Sequence, residues 1–350
     1  MIHFFLCLFF LFFSSTTILD ARNVRRPQDP CVPIIYVSAT DPAFEKSWSY
    51  LKNDPTFSQK CSLRSSFLRR RVFERFDKKF FYENYLPMGP LQFRKKTGSV
   101  ETSVISHLAE KFVEEIKTGK KEFTDVVILK DRDFNYKSLA GLIIVKFKEY
   151  PFVLKLSIEH PHTMVQPYSK SFESTGQFII GGNLRHLSNF TRITNLKRIK
   201  EILKNKPIYR NKIFFPRKWY WKPNKCHDLK IVWKCNDQQE EIFIPSIYAV
   251  ISDFIQTDKI QPQQELNKLA MRVAIDTGFL IDPHAGNFVI EQQPRQCVLL
   301  DTEDFRIMVG LNQSMKAENY ANWYLELMSN ALQTYCCRSR QERINQCSLM

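Results

Sequence analysis

Three polar residues near the end of the chain have the types and the spacing of a site for a metal ion and a proton acceptor. Asp282 is followed five residues later by Asn287, and Asp301 directly follows the apolar residues 298–300. Residues 288–290 and 298–300 predict the two strands of a hairpin, because both are short apolar runs that end at polar segments. Such a hairpin would bring Asn287 and Asp301 to one end, next to Asp282.

This combination of side chains suits phosphoryl transfer. Mg²⁺ prefers oxygen ligands, so the amide oxygen of Asn287 and the carboxylate of Asp301 are suitable metal ligands. A further carboxylate can orient or deprotonate the hydroxyl group that accepts the phosphate, and Asp282 has the position for that role. The reaction asks the protein mainly for placement and for positive charge against the phosphates. We therefore expect Asp282 to be catalytic and Asn287 and Asp301 to bind the metal.

The loop also has an ordinary structural interpretation, since Asp, Asn and Gly are common in tight turns. The preceding segments favour the functional interpretation. Apolar residues at helical spacing over residues 264–277 predict a helix that stops at Gly278 and leads into the loop. Before it, residues 242–251 predict a strand and residues 252–257 a short connector.

The segment IDPHAGN, residues 281–287, resembles the catalytic loop of the protein-kinase-like superfamily, and within it the atypical kinases of the UbiB type and the aminoglycoside-phosphotransferase-like enzymes. The resemblance implies an α+β, two-lobed fold with a mainly β small lobe and a reduced helical lobe. It also implies ATP as the co-substrate, Mg²⁺ as the cofactor and a connector whose backbone binds adenine.

Two positions depart from the pattern of this family. Leu280 stands where the family usually has a histidine, and Asp301 is followed by Thr302 instead of Phe-Gly. Asp304, which is followed by Phe305, is the alternative candidate for the metal-binding acid. We expect Asp301 to have this role because an apolar strand leads directly to it.

A second predicted hairpin, residues 140–147 and 152–158, contains the candidate nucleotide-binding residue. Apolar side chains alternate along its second strand, and Lys155 projects from the opposite face. The resemblance implies that Lys155 binds the phosphates of ATP, and a solvated lysine is the alternative. The acid that would hold this lysine is Glu173 or Glu201, and no motif chooses between them.

The amino-terminal residues predict export. Residues 4–13 are a continuous apolar run, too short for a comfortable membrane span and typical of a secretory signal core, with Ala21 as a candidate cleavage point. The protein is then secreted or extracytoplasmic, or is anchored in a membrane by its amino terminus. In such a compartment disulfides are expected, and Cys226 with Cys235 could close a hairpin. Buried free thiols are the alternative.

We divide the chain into a signal peptide at residues 1–21, a partly helical extension at 22–119, a small lobe with an insertion at 120–257 and a reduced helical lobe at 258–350. The net charge of +15 favours anionic partners such as nucleotides or an anionic surface. Base stacking on Trp219 and Trp221 is the less favoured explanation of the aromatic and basic residues 214–222, since cationic side chains also cover apolar surface. Nucleic acid is therefore not the expected partner.

The sequence thus predicts an exported, atypical kinase-like protein that transfers phosphate from ATP to a protein or small-molecule acceptor. The alternative is a secreted pseudokinase that acts as a binding or scaffold module. Retention of Asp282, Asn287 and Asp301 favours catalysis, whereas the departures from the family pattern favour the pseudokinase.

Overall fold

The computed structural model describes residues 34–38, 76–137, 139–158, 189–210, 212–235, 238–258 and 260–308. All of them belong to one compact unit, Val32–Met350. The described part of the chain is α+β, as expected. The predicted signal peptide and Glu173 lie outside the described residues, so the expectations about them stay predictions.

The described α-helices, in chain order, are α1 (Lys78–Glu83), α2 (Thr102–Lys117), α3 (Thr191–Lys204), α4 (Gln263–Asp276) and α5 (Phe305–Met308). The strands are β1 (Ile34–Ser38), β2 (Pro90–Gln92), β3 (Ser99–Glu101), β4 (Val126–Asn135), β5 (Ala140–Phe147), β6 (Phe152–Ile158), β7 (Ile213–Phe214), β8 (Lys218–Trp221), β9 (Asp228–Cys235), β10 (Gln238–Pro245), β11 (Ile247–Asp253), β12 (Phe288–Glu291) and β13 (Gln296–Leu299). None of the helices among these residues is long and apolar enough to cross a membrane.

Five strands form the main antiparallel sheet, in the order β4-β5-β6-β11-β8. One face of this sheet is apolar, and α2 covers it. Phe112 and Ile116 of α2 are buried in the same core as Leu154 and Leu156 of β6. This core forms because apolar side chains recur at every second position of the strand and at helical spacing in α2. The helix at the end of the predicted extension therefore shares its core with the sheet.

The opposite face of the sheet carries polar groups near its centre. Lys155 and Ser157 lie on this face of β6, in agreement with the predicted alternation. In the register of the sheet, Ser252 of β11 pairs with Lys218 of β8, which adds a second lysine to the same face. The residues just before α3 contact this polar face. The side-chain amide of Asn189 donates a hydrogen bond to the Ser157 hydroxyl group.

A second hydrophobic core holds the predicted catalytic loop. It combines α4 with the end of α3, residues 279–281 and the β12–β13 hairpin. Leu266 and Val273 of α4 are buried against this core, which explains the apolar spacing of the helix. The predicted hairpin at the loop is confirmed, with Phe288 opposite Leu299 and Val289 opposite Val298. β7 adds a third, parallel strand to it.

One expectation about the strands is wrong. Residues 242–251 are not one strand, because the chain leaves β10 after Pro245 and enters β11 at Ile247, and these strands pair in different sheets. Ser246 between them is buried and its amide bonds to the carbonyl group of His227. The segment before β9 contributes a strand as well, since β8 forms an edge of the main sheet. Apolar content predicts strand formation but not the partner, which is decided by distant residues.

Candidate functional site

The structure brings Lys155 and Asp301 together. The Nζ atom of Lys155 lies 3.5 Å from Oδ2 of Asp301, and the side chains are 11% and 26% exposed. Lys155 comes from the middle of β6, where the two neighbouring strands hold the backbone, whereas Asp301 follows the last residues of β13. The two residues are 146 positions apart in the chain. This partly exposed ion pair therefore joins the main sheet to the β12–β13 hairpin.

Asn287 lies at the same end of the hairpin as Asp301. The amide of Leu300 donates to the carbonyl group of Asn287 at 2.8 Å, which extends the pairing of β12 and β13 by one step. The side-chain Nδ2 of Asn287 donates to the backbone carbonyl group of Asp282 at 2.9 Å. Among the described residues no hydrogen bond uses Oδ1 of Asn287, so this oxygen atom is available as a ligand.

The loop that carries Asp282 begins with an unusual backbone conformation. Gly278 and Phe279 both have positive φ, at 66° and 58°. For phenylalanine this conformation costs about 1–2 kcal/mol, and it persists because the Phe279 ring is fully buried. The two residues end α4 and turn the chain, and Asp282 then accepts a hydrogen bond from the His284 amide on its backbone carbonyl group. The side chain of Asp282 is half-buried.

Arg192, a residue that the sequence did not single out, is the central cation of the site. It lies in the first turn of α3 and is fully buried. Its guanidinium group forms ion pairs with Asp301 and, at 2.7 Å, with Glu303. Its Nε atom donates to Asn189. No local sequence pattern marked Arg192 as part of the site.

The expected acidic partner of Lys155 on α3 is not Glu201. The side chain of Glu201 is exposed, and the residue of α3 that reaches the site is the cation Arg192. The acid beside Lys155 in the described structure is Asp301 itself. Glu201 has no link to this site because it lies about two and a half helical turns after Arg192, near the other end of the helix.

Lys218 is a second residue that sequence reasoning missed as part of the site. Its Nζ atom donates to the carbonyl group of Leu300 at 2.9 Å and to the Thr302 hydroxyl group at 2.6 Å. Burial lowers the pKa of Lys218 well below its usual value, and the nearby cations Lys155 and Arg192 lower it further. Lys218 thus bonds to the residues on both sides of Asp301, to the backbone of Leu300 and to the side chain of Thr302. The alternation of the short strand β8 is the signal that could have placed it on the polar face.

The structure separates the two candidate metal-binding acids. Asp304 is fully buried and accepts hydrogen bonds from the backbone amide and the side chain of Arg306, with Arg198 3.8 Å away. Its own amide bonds to Thr191. Asp304 is therefore a structural residue that ties the segment to α3. Asp301 is the more exposed of the two and faces Lys155, which is the arrangement that a ligand site requires.

The residues present fit Mg²⁺ that arrives together with phosphate. The described residues contain no group of three or more His, Cys, Asp or Glu side chains that would hold a metal ion alone. The oxygen atoms that could bind such an ion are Oδ1 of Asn287 and the carboxylate oxygens of Asp301. Mg²⁺ commonly takes one or two protein ligands and completes its coordination with waters and phosphate oxygens.

The connector after β11 contacts the end of β12 that is remote from Asn287. It pairs with β12 through the amide of Gln292, which donates to Gln256, and the amide of Asp258, which donates to Ile290. No described hydrogen bond uses the amide or the carbonyl group of Ile255. The side chain of Ile255 is buried.

The structure also describes Trp221 and Cys226, which the sequence analysis considered for base stacking and for a disulfide. Trp221 is fully buried in the core under α2, so its ring cannot stack on a base. Cys226 and Cys297 are free thiols. The pair of Cys226 with Cys235 is thus not formed here, and disulfides elsewhere in the chain stay a prediction.

Comparison of the chain with protein-family models, with curated proteins and with solved structures gives no match.

Proposed function

We propose that the protein is an ATP-dependent phosphotransferase of the atypical kinase-like type. The observation that carries this proposal is the 3.5 Å contact between Lys155 and Asp301. Two residues from distant parts of the chain meet there, at the hairpin end that also carries Asn287. The elements follow in the order that the resemblance implies, with the sheet first, then the connector, α4, the loop and the hairpin.

In this proposal each residue has a separate task. Lys155 binds the phosphates of ATP, and the backbone of the connector near Ile255 binds the base. Asn287 and Asp301 hold Mg²⁺, which neutralises charge on the phosphates when it is bound. Asp282 orients the hydroxyl group of the acceptor, a protein or a small molecule, and receives its proton. The main sheet with α3 is the small lobe, and α4 with the β12–β13 hairpin belongs to the reduced helical lobe.

A second candidate function is that of a secreted pseudokinase that binds an anionic ligand without turnover. Three basic side chains, Lys155, Arg192 and Lys218, lie around the two acids Asp301 and Glu303. Basic side chains in this number favour phosphate groups and oppose a free metal ion. Slow or absent transfer together with tight nucleotide binding would follow from such a balance.

Nucleotide binding is tested by thermal unfolding with and without Mg²⁺ and ATP. A ligand that binds only the native state raises the melting temperature by mass action. We expect Mg²⁺ with ATP to raise it in the wild type, and Asp301→Asn to abolish the contribution of Mg²⁺. Asp228→Asn is the matched control, because Asp228 is exposed in β9 and has no part in the proposed nucleotide site. Absence of any shift with several nucleotides would refute the phosphotransferase proposal and favour the binding module.

Transfer is tested with labelled ATP against the protein itself, a lysate and a panel of small metabolites. Because Asp282 acts mainly in the transition state, Asp282→Ala should leave ATP affinity nearly unchanged and reduce transfer by orders of magnitude. Asp228→Ala, at an exposed position in β9, is the control. Transfer by Asp282→Ala at the wild-type rate would refute the role of Asp282. ATP binding by the wild type without any transfer would favour the pseudokinase.

A further inference from the structure

The two cations that contact Asp301 differ in how firmly they are held. Arg192 is fully buried, and its other guanidinium nitrogens are bound by Glu303 and Asn189. Lys155 is partly exposed, and its contact with Asp301 is long, at 3.5 Å. Lysine also has a flexible stem and a point charge that exchanges between partners more easily than a planar guanidinium group. Lys155 is therefore the cation that can leave Asp301.

Both cations oppose the binding of a divalent metal ion at Asp301. A metal ion would have to compete with Lys155 for the same carboxylate and would bring two further positive charges next to Arg192 and Lys218. At short range such like-charge repulsion is weakly screened by solvent when the groups are buried. A phosphate-bearing ligand changes the balance, because it supplies negative charge both to Lys155 and to the metal ion.

We propose that Lys155 closes the Asp301 carboxylate to divalent metal ions in the unliganded protein, and that a polyphosphate ligand opens it by drawing Lys155 away. This inference rests on the proposed function, since it concerns the same nucleotide site. Lys155 then has two roles with opposite consequences for the metal ion. It excludes the ion from the empty site and, once bound to phosphate, permits it to enter.

The inference is tested by titrating the protein with Mn²⁺ alone and measuring free Mn²⁺ by electron paramagnetic resonance. We expect Lys155→Met to bind Mn²⁺ with a Kd at least tenfold lower than that of the wild type, because the competing ammonium group is gone. The double variant Lys155→Met/Asp301→Asn should lose this gain, which would locate the ion at Asp301. Lys111→Met is the matched control. Lys111 lies on α2 and pairs with Asp125, so its loss should leave Mn²⁺ binding unchanged.

A second titration measures ATP binding in the presence of a chelator. Here Lys155→Met should bind ATP at least tenfold more weakly than the wild type, so the same substitution strengthens metal binding and weakens nucleotide binding. A lysine with only a structural role would weaken both. If Lys155→Met does not fold, Lys155→Gln removes the same charge and retains a polar side chain.

The outcomes separate the inference from the proposed function. Equal Mn²⁺ affinity of the wild type and Lys155→Met, whether tight or weak, would overturn the inference. A gain of Mn²⁺ binding that survives Asp301→Asn would overturn it as well. Absence of ATP binding in every condition would refute the proposed function. The Mn²⁺ titration would still decide whether Lys155 excludes divalent metal ions from Asp301.

Discussion

At the scale of the residue, the site is defined by buried basic side chains. Lys218 is the one that bonds to neutral groups, the carbonyl group of Leu300 and the hydroxyl group of Thr302. Burial lowers the pKa of Lys218 well below the usual 10.5, and the cations Lys155, Arg192 and Lys200 act in the same direction. In the unfolded chain the lysine has its ordinary pKa. The folded state therefore binds fewer protons than the unfolded state at any pH between the two values.

This difference predicts a dependence of stability on pH. The free energy of unfolding should rise as the pH increases towards 10.5, because the unfolded chain gives up the proton that it holds in excess. The effect of one proton is at most about 1.4 kcal/mol per pH unit. Urea unfolding at several pH values should show this slope in the wild type and lack it in Lys218→Met. Lys268→Met, at an exposed position on α4, should keep the wild-type slope. Parallel curves for the wild type and Lys218→Met would contradict the prediction.

At the scale of the element, α2 shows how a periodic pattern predicts a helix but not its exact orientation. The spacing of Val104, Leu108, Phe112 and Ile116 predicts one apolar face. In the structure the most deeply buried positions include Ile105 in place of Val104, which is 38% exposed. The helix is rotated slightly from the expected position because it packs against the main sheet, whose shape the local pattern does not contain.

The rotation of α2 predicts unequal effects of truncation. Phe112→Ala should lower the free energy of unfolding by about 3–5 kcal/mol, because it leaves a cavity between α2 and the sheet. Val104→Ala removes a partly exposed side chain and should cost less than about 1 kcal/mol. Both values are measurable by urea unfolding. Similar losses at the two positions would contradict the observed orientation of the helix.

At the scale of the whole molecule, ion pairs connect the β2–β3 hairpin to the strands that hold the site. Glu291, at the end of β12, is fully buried and pairs with Arg94 and, at 2.6 Å, with Lys95. Nearby, Arg217 binds Asp253 at the end of β11 and donates to the carbonyl group of Gln92. Residues from before the main sheet thus contact the β12–β13 hairpin directly.

Loss of the Glu291 charge should destabilise the whole fold. Glu291→Gln leaves two cations without their buried carboxylate, and breaking such a pair costs about 3–5 kcal/mol. The matched control is Glu83→Gln, which removes an exposed helical pair with Lys79 and should cost less than about 0.5 kcal/mol. Chemical denaturation followed by tryptophan fluorescence measures both. A loss below 1 kcal/mol for Glu291→Gln would show that the hairpin contact is dispensable.

The sequence by itself determined the local elements around the site. Helix α4 and the hairpins β5–β6 and β12–β13 were predicted within one or two residues, because each has a periodic pattern that ends at turn-forming residues. The alternation in β6 also determined that Lys155 lies opposite the apolar face. The sequence further singled out Asp282, Asn287 and Asp301 as residues of one loop and hairpin, where local spacing limits how far apart they can be.

Only the tertiary structure decided which distant groups meet. Arg192 contacts Asp301 itself, and Lys218 contacts the residues on either side of it, Leu300 and Thr302. Both come from elements that are many residues away, and nothing in their local sequence marks a buried basic group. The same holds for the choice between Asp301 and Asp304, since both follow the same strand and differ in their partners. Burial and ion pairing depend on the packing of elements that are remote in the chain, so local spacing cannot determine them.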